Sequence, residues 1–144
     1  MRRLAVVFGC LAVALAACGG DSSAGGAKGQ FISQGDAICR DTIATVNSVG
    51  SGTDTATLQK ASDAWAQTFQ KLDTLAVPKD TEAKALEFKA NVHNAALTAD
   101  EAYQASLDGG SSQRVQKAVQ DLAAAKKQAG KTAQDYGFKV CSQL

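Results

Sequence analysis

The sequence is short of the residues that most catalytic and metal sites are made from. Its one histidine is His93 and its one methionine is Met1, so the chain offers no soft-metal cluster. No Cys-x-x-Cys or Cys-x-x-Cys-His occurs, which removes the dithiol redox motif and covalent haem attachment. There is no Gly-x-Ser-x-Gly elbow, and a lone histidine leaves no Ser/His/Asp set beyond chance. Gly50-Ser51-Gly52 and the glycines from Gly19 to Gly29 precede no Lys-Ser/Thr pair, so a phosphate loop is absent. The acids Asp100-Glu101, Asp73 and Asp80 read as solvated residues on helix faces rather than a catalytic pair. Fifteen basic residues against fourteen acidic ones give no basic excess, which argues against a nucleic-acid partner. These absences point to a non-enzymatic protein without cofactor or metal.

Long apolar runs are also scarce. The one that stands out, Leu4 to Ala17, follows Arg2-Arg3 and has the length of a signal-peptide core. It falls short of the roughly 20 apolar residues that a spanning helix needs. Arg2-Arg3 lacks the usual flanks of a twin-arginine signal, so general secretion is the expected route. The run ends in Leu15-Ala16-Ala17-Cys18, followed by Gly19-Gly20. This resembles the bacterial lipobox, Leu-[Ala/Ser]-[Gly/Ala]-Cys. The resemblance implies that Cys18 receives a diacylglyceryl thioether and becomes the new N-terminus after residues 1–17 are removed. A plain secretory cut near Ala17 and an uncleaved anchor are the competing readings. Two acyl chains hold a protein stably at a membrane where one does not, each buried CH₂ contributing about 0.8 kcal/mol. The expected location is the extracytoplasmic face of the cell membrane, with the membrane itself as a partner through the lipid.

Removing 17 of the 144 residues leaves 127, with 13 basic and 14 acidic side chains. That length suits one domain with its own core. Cys10 leaves with the signal segment and Cys18 is taken by lipid, so Cys39 and Cys141 remain. In an exported domain two cysteines can close one bridge. Two free thiols or a metal site are the alternatives, and a metal site needs more ligands than His93 can add. A loop of about 100 residues would make the bridge worth up to about 4–5 kcal/mol in chain entropy.

Residues 18–30 hold Cys18 and a Gly/Ser/Ala-rich stretch that reads as a flexible tether with a span of roughly 20 Å. Residues 31–144 carry the helical periodicity. The first helix is expected over 34–49, capped by Ser33 with Asp36 completing an acidic capping box, its stripe Cys39, Ile43, Val46 and Val49. Thr53 or Asp54 caps a second helix over 54–76, with Leu58, Ala61, Trp65, Phe69 (or Thr68) and Leu72 on one side; Val77-Pro78 stops it. A third helix over 80–107 shows two adjacent stripes, Leu86/Ala90/His93/Leu97 and Phe88/Val92/Ala95/Ala99/Tyr103/Ser106, which together make a broad apolar face. After Asp108-Gly109-Gly110 a fourth helix runs over 112–136. Gly137 closes it, Phe138 folds back, and Lys139-Val140-Cys141 forms a short extended tail. Connections of a few residues make successive helices antiparallel, so the fold class is all-α: an up-down-up-down four-helix bundle behind a signal peptide and tether. In such a bundle the end of the fourth helix lies beside the start of the first, as a Cys39–Cys141 bridge requires.

Trp65 and Phe69 lie one turn apart and read first as core anchors. With Phe88, His93 and Tyr103 they would line any apolar cavity between the helices. His93 falls inside the apolar face and is expected to be partly buried and hydrogen-bonded rather than catalytic. The opening Phe31-Ile32-x-Gln34-x-Asp36-Ala37-Ile38-Cys39, the closing Tyr136-Gly137-Phe138-Lys139-Val140-Cys141 and the Leu-x-x-Leu-x-Val-Pro step at Leu72–Pro78 resemble a group of small actinobacterial lipoproteins. That resemblance implies an exported, lipid-anchored helical domain with its two cysteines bridged, and assigns no activity. The leading expectation is an envelope lipoprotein whose bundle presents a surface to a protein or cell-wall partner. Small-molecule or lipid binding in an apolar cavity between helices is the alternative.

Overall fold

Ala-rich stripes at helical spacing produce four helices: α1 (Ala27–Val49), α2 (Thr55–Asp73), α3 (Glu82–Leu107) and α4 (Ser112–Tyr136). Two 3-10 turns accompany them, Lys79–Thr81 and Cys141–Gln143. The computed structural model describes residues 26–49, 52–107 and 112–144. The expected signal segment with Cys10, the expected lipidation site Cys18, the expected tether up to residue 25, Gly50-Ser51 and the expected turn at Asp108–Gly110 with Ser111 lie outside the described residues. The helices pack as the antiparallel up-down-up-down bundle read from the spacing, α3 forming the centre between α2 and α4. No described helix is long and apolar enough to cross a membrane.

α1 begins at Ala27, seven residues before the expected start, and takes in the last residues assigned to the tether. Ala27, Lys28 and Gln30 are good helix formers. The Gln30 N–H donates to the Gly26 carbonyl at 3.1 Å, closing the first turn. Phe31, buried at the level of the core, holds that turn down. Ser33 is therefore an exposed residue inside the helix rather than its cap, and Cys39 falls in the fourth turn. α2 starts as expected: the Asp54 carboxylate accepts from the Thr57 N–H at 3.0 Å and the Thr57 hydroxyl at 2.7 Å. These bonds, the hydroxyl's first, lower the Asp54 pKa from its ordinary value. α2 ends at Asp73 rather than Ala76, where the buried Lys89 Nζ donates to the Asp73 and Leu75 carbonyls, each at 2.9 Å. A cation on the last carbonyls of a helix satisfies groups that have no partner within it.

In α3 only one of the two expected stripes is core. Ala85, Phe88, Val92, Ala95, Ala99, Ala102 and Ala105 are buried. Leu86 and Leu97, 48% and 52% exposed, share the solvent side with Ala90 and His93. Both stripes have helical spacing, but α2 and α4 cover one side of α3. The alanines occupy that side because small residues let the neighbouring helices approach closely. The expectation of a partly buried His93 is corrected accordingly: its imidazole stacks on the half-buried Phe69 ring at the surface, centroids 4.2 Å apart and planes 14° apart.

α4 ends at Tyr136 as expected. Gly137 adopts a positive φ of 113°, its N–H donates to the Gln134 carbonyl, and the Phe138 N–H donates to the Ala133 carbonyl, both at 3.0 Å. This is the paired Schellman closure, which a residue with a Cβ disfavours at Gly137. The chain beyond it does not extend. It turns into the 3-10 turn Cys141–Gln143, which packs on both α1 and α4.

Candidate functional site

One end of the bundle is locked by the two motifs that open and close the domain. Phe138 folds into an aromatic cluster with Phe31 at 5.7 Å, Phe88 at 4.5 Å and Tyr136 at 5.3 Å between ring centroids. Gly35 lets α1 cross over this cluster: a Cβ there would stand 2.5 Å from Phe138 Cε1. The Tyr136 hydroxyl shares a 2.7 Å hydrogen bond with the Thr81 hydroxyl. Asp36 does not form a capping box. Its Oδ1 accepts from the backbone N–H groups of Val140 at 2.8 Å and Cys141 at 2.9 Å, and Oδ2 from Lys139 at 3.1 Å. The side chain thus caps the C-terminal 3-10 turn from a distance of about 100 positions in the chain. One turn further along α1, Cys39 is joined to Cys141 in a fully buried disulfide, Cα atoms 5.1 Å apart.

This joint inserts the C-terminal turn between α1 and α4. Beyond it the two helices stay apart: α1 packs along α2 and against the turn, with next to no backbone approach to α4 among the described residues. The burial of their apolar stripes records the gap. Cys39 of α1 and Ala125, Ala129 and Ala133 of α4 are buried, whereas Ile43 and Val46 of α1 and Val115, Ala118 and Val119 of α4 are only half-buried.

The gap is a groove of about 480 Å³, a size typical of small-molecule sites, which run from about 300 to 1,000 Å³. Val46 and Asn47 of α1 form one wall, Val119, Leu122, Ala123 and Lys126 of α4 the other, and Leu58, Ala61 and Trp65 of α2 the floor. A smaller recess of about 150 Å³ continues it toward the C-terminal turn, where Ile43, Gln143 and Leu144 join Val46, Asn47, Trp65 and Lys126. Neither is sealed from solvent.

Three of the lining residues carry polar groups without a partner among the described residues. Trp65 is 1% exposed, and its Nε1 is the only buried side-chain nitrogen or oxygen without a hydrogen bond among the described residues. Leaving such a donor unpaired costs about 1–3 kcal/mol. The Lys126 ammonium and the Asn47 amide reach solvent and bond to no described residue. Lys126 is the only charged side chain in the lining. At the far end, Thr57 and Gly52 complete the groove, and the Thr57 hydroxyl is already engaged by Asp54.

Of the five aromatic and imidazole residues expected to line a cavity, Trp65 alone borders this one. Phe88 is consumed by the aromatic cluster at the locked end. Phe69 and His93 stack on each other on the outer side of the α2–α3 pair, and Tyr103 is half-buried on α3; none of these three lines the groove. Spacing places all five on helices but does not say which side of a helix a neighbour leaves uncovered. The residues that sequence reading passed over are Asn47 and Lys126. Lys126 sits four positions after Leu122 and seven after Val119, so it continues the α4 stripe at its charged end. That was visible in the spacing, but only the separation of α1 from α4 makes it a lining residue.

Among the described residues no three His, Cys, Asp or Glu side chains gather as a metal site. No family model matches the chain, and no curated protein or solved structure is significantly similar to it.

Proposed function

We propose that this chain is a cell-envelope lipoprotein of the actinobacterial type its two end motifs resemble. It is held on the extracytoplasmic face of the membrane through Cys18, and its bundle is a non-enzymatic binding domain whose ligand site is the groove between α1 and α4. The observation that carries the reading is the unpartnered, buried indole N–H of Trp65 beside an open, mostly apolar groove. A well-packed interior leaves very few such donors unpaired, so each one needs an explanation. A bound acceptor would supply it.

The test has two parts. Cys18→Ser should abolish fatty-acid labelling and release the protein from the membrane fraction; continued labelling would refute the anchor. For the groove, the fluorescent probe 1-anilinonaphthalene-8-sulfonate should bind the native bundle and lose most of its signal in Ala61→Phe, which fills the floor. Equal signal from both proteins, with unchanged helicity and Tm, would refute the site.

A second reading is supported by a different observation. Leu86 and Leu97 lie half-exposed on one side of α3 with His93, an apolar stripe that α2 and α4 leave uncovered. It would serve as the contact for an envelope protein. Leu86→Glu with Leu97→Glu should then abolish crosslinking to that protein in intact cells and leave probe binding in the groove unchanged.

A further inference from the structure

The groove has direction as well as volume. On α2, Leu58, Ala61 and Trp65 follow one another at spacings of three and four. On α4, Val119, Leu122 and Lys126 do the same. In an up-down-up-down bundle α2 and α4 run the same way, so the two sets form parallel rails. Both begin in aliphatic side chains and end in a donor, the Trp65 indole on one and the Lys126 ammonium on the other. Asn47 of α1 stands at that same end, lining both the groove and the recess behind it. The opposite end is bounded by Gly52, where a Cβ would stand 2.7 Å from the Asp54 carboxylate, and by Thr57, whose hydroxyl donates to that carboxylate at 2.7 Å. The groove is therefore cationic and donor-rich at one end, aliphatic along its length and next to an acid at the other. Trp65 lies seven positions after Leu58, a rise of about 10 Å, which an extended chain of roughly eight or nine carbons spans.

From this gradient we propose that the groove binds a single-chain amphipathic carboxylate of the fatty-acid class. The chain lies between the α2 and α4 rails, and the head group sits where Lys126, Asn47 and Trp65 stand together. Lys126 supplies charge complementarity: it is the only charged side chain in the lining, and it bonds to no described residue. Asp54 sets the orientation, because a carboxylate head at its end would meet a like charge. Burying the aliphatic tail along Leu58, Ala61, Val119 and Leu122 removes apolar surface from water at about 25 cal/mol per Å². This inference rests on the groove being the ligand site.

Trp65 is the only tryptophan in the chain, so its emission reports directly on the groove. The full chain carrying Cys18→Ser, purified without detergent, is titrated with decanoate, decanol and decyltrimethylammonium, each below its micellar concentration. Affinities come from calorimetry, and Trp65 emission serves as the second readout. Decanoate should bind, shift the emission, and bind at least tenfold tighter than decanol, with decyltrimethylammonium weakest. Lys126→Gln should weaken decanoate about tenfold and leave decanol unchanged, the loss expected for one charge-assisted hydrogen bond. Equal affinity for decanoate and decanol, or no effect of Lys126→Gln, overturns the carboxylate class but leaves the groove as a ligand site. If no decyl compound binds while the anilinonaphthalene probe still requires an unfilled groove, the fatty-acid class is overturned alone. If Ala61→Phe leaves the probe unaffected as well, both readings fall together.

Discussion

The two ends of the α1–α4 interface are built from the same helices and behave oppositely. At the locked end α1 meets the chain terminus through a disulfide, three backbone hydrogen bonds to Asp36 and four packed aromatic rings. At the other end the same α1 faces the same α4 across a groove, and its Ile43 and Val46 are only half covered. The cause is the C-terminal 3-10 turn. It separates the helices where it inserts, and none of the described residues fills the space beyond it. A joint that secures the fold at one end therefore holds a cleft open at the other.

The largest expected effect comes from cutting the joint. Cys39→Ser with Cys141→Ser, or reduction in denaturant, frees a loop spanning 102 positions and should cost about 4–5 kcal/mol in denaturant unfolding. Amide exchange should rise first along α1. Uniform exchange across all four helices would mean that the joint is not what holds α1. Asp36→Ala comes next. It leaves the N–H groups of Lys139, Val140 and Cys141 without their acceptor and should cost about 2–3 kcal/mol, the scale for hydrogen bonds to a charged group. A loss under half of that would show water replacing the carboxylate.

Paired truncations then compare core with groove. Val92→Ala, on the fully buried face of α3, should destabilise by about 2 kcal/mol, and Val119→Ala, on the groove wall, by less than about 1 kcal/mol. Equal losses would mean that the groove wall is as tightly packed as the core. The smallest effect is electrostatic. Thr57 holds the Asp54 pKa below its ordinary value of 3.8, so the folded state favours the ionised form. The associated stability is present above the unfolded-state value and is lost as pH falls through the lower folded-state value. Wild type should exceed Asp54→Asn slightly at neutral pH and converge with it near pH 2. A difference that persists at pH 2 would point to geometry rather than charge.

Much of the fold was legible because it rests on local rules. The expected fourth helix over 112–136 and its Gly137-Phe138 closure match α4, and of the two expected caps, Thr53 and Asp54, it is Asp54 that caps α2. Setting Cys10 and Cys18 aside on the lipobox resemblance leaves one pair, and the structure joins that pair, Cys39 and Cys141, where the antiparallel topology expects it. What misled were residues with two local meanings. Ser33 and Asp36 have the pattern of a helix start, yet the helix begins at Ala27 and Asp36 caps a turn at the far end of the chain. Leu86, His93 and Leu97 have the spacing of a core stripe, yet neighbouring helices cover the alanine side. In the candidate site only Trp65 was recognisable beforehand, because aromatic size marks an anchor, whereas Asn47 and Lys126 look like ordinary surface residues.

The sequence by itself determined four helices, their order and direction, and which two cysteines could meet, since periodicity, caps and short connections act over a few residues. The tertiary structure alone decided that Asp36 and the closing motif form one joint, that its turn parts α1 from α4, and that an unpartnered Trp65 lies beside the gap. Those outcomes depend on the volumes of side chains about 100 positions apart, which no local pattern encodes.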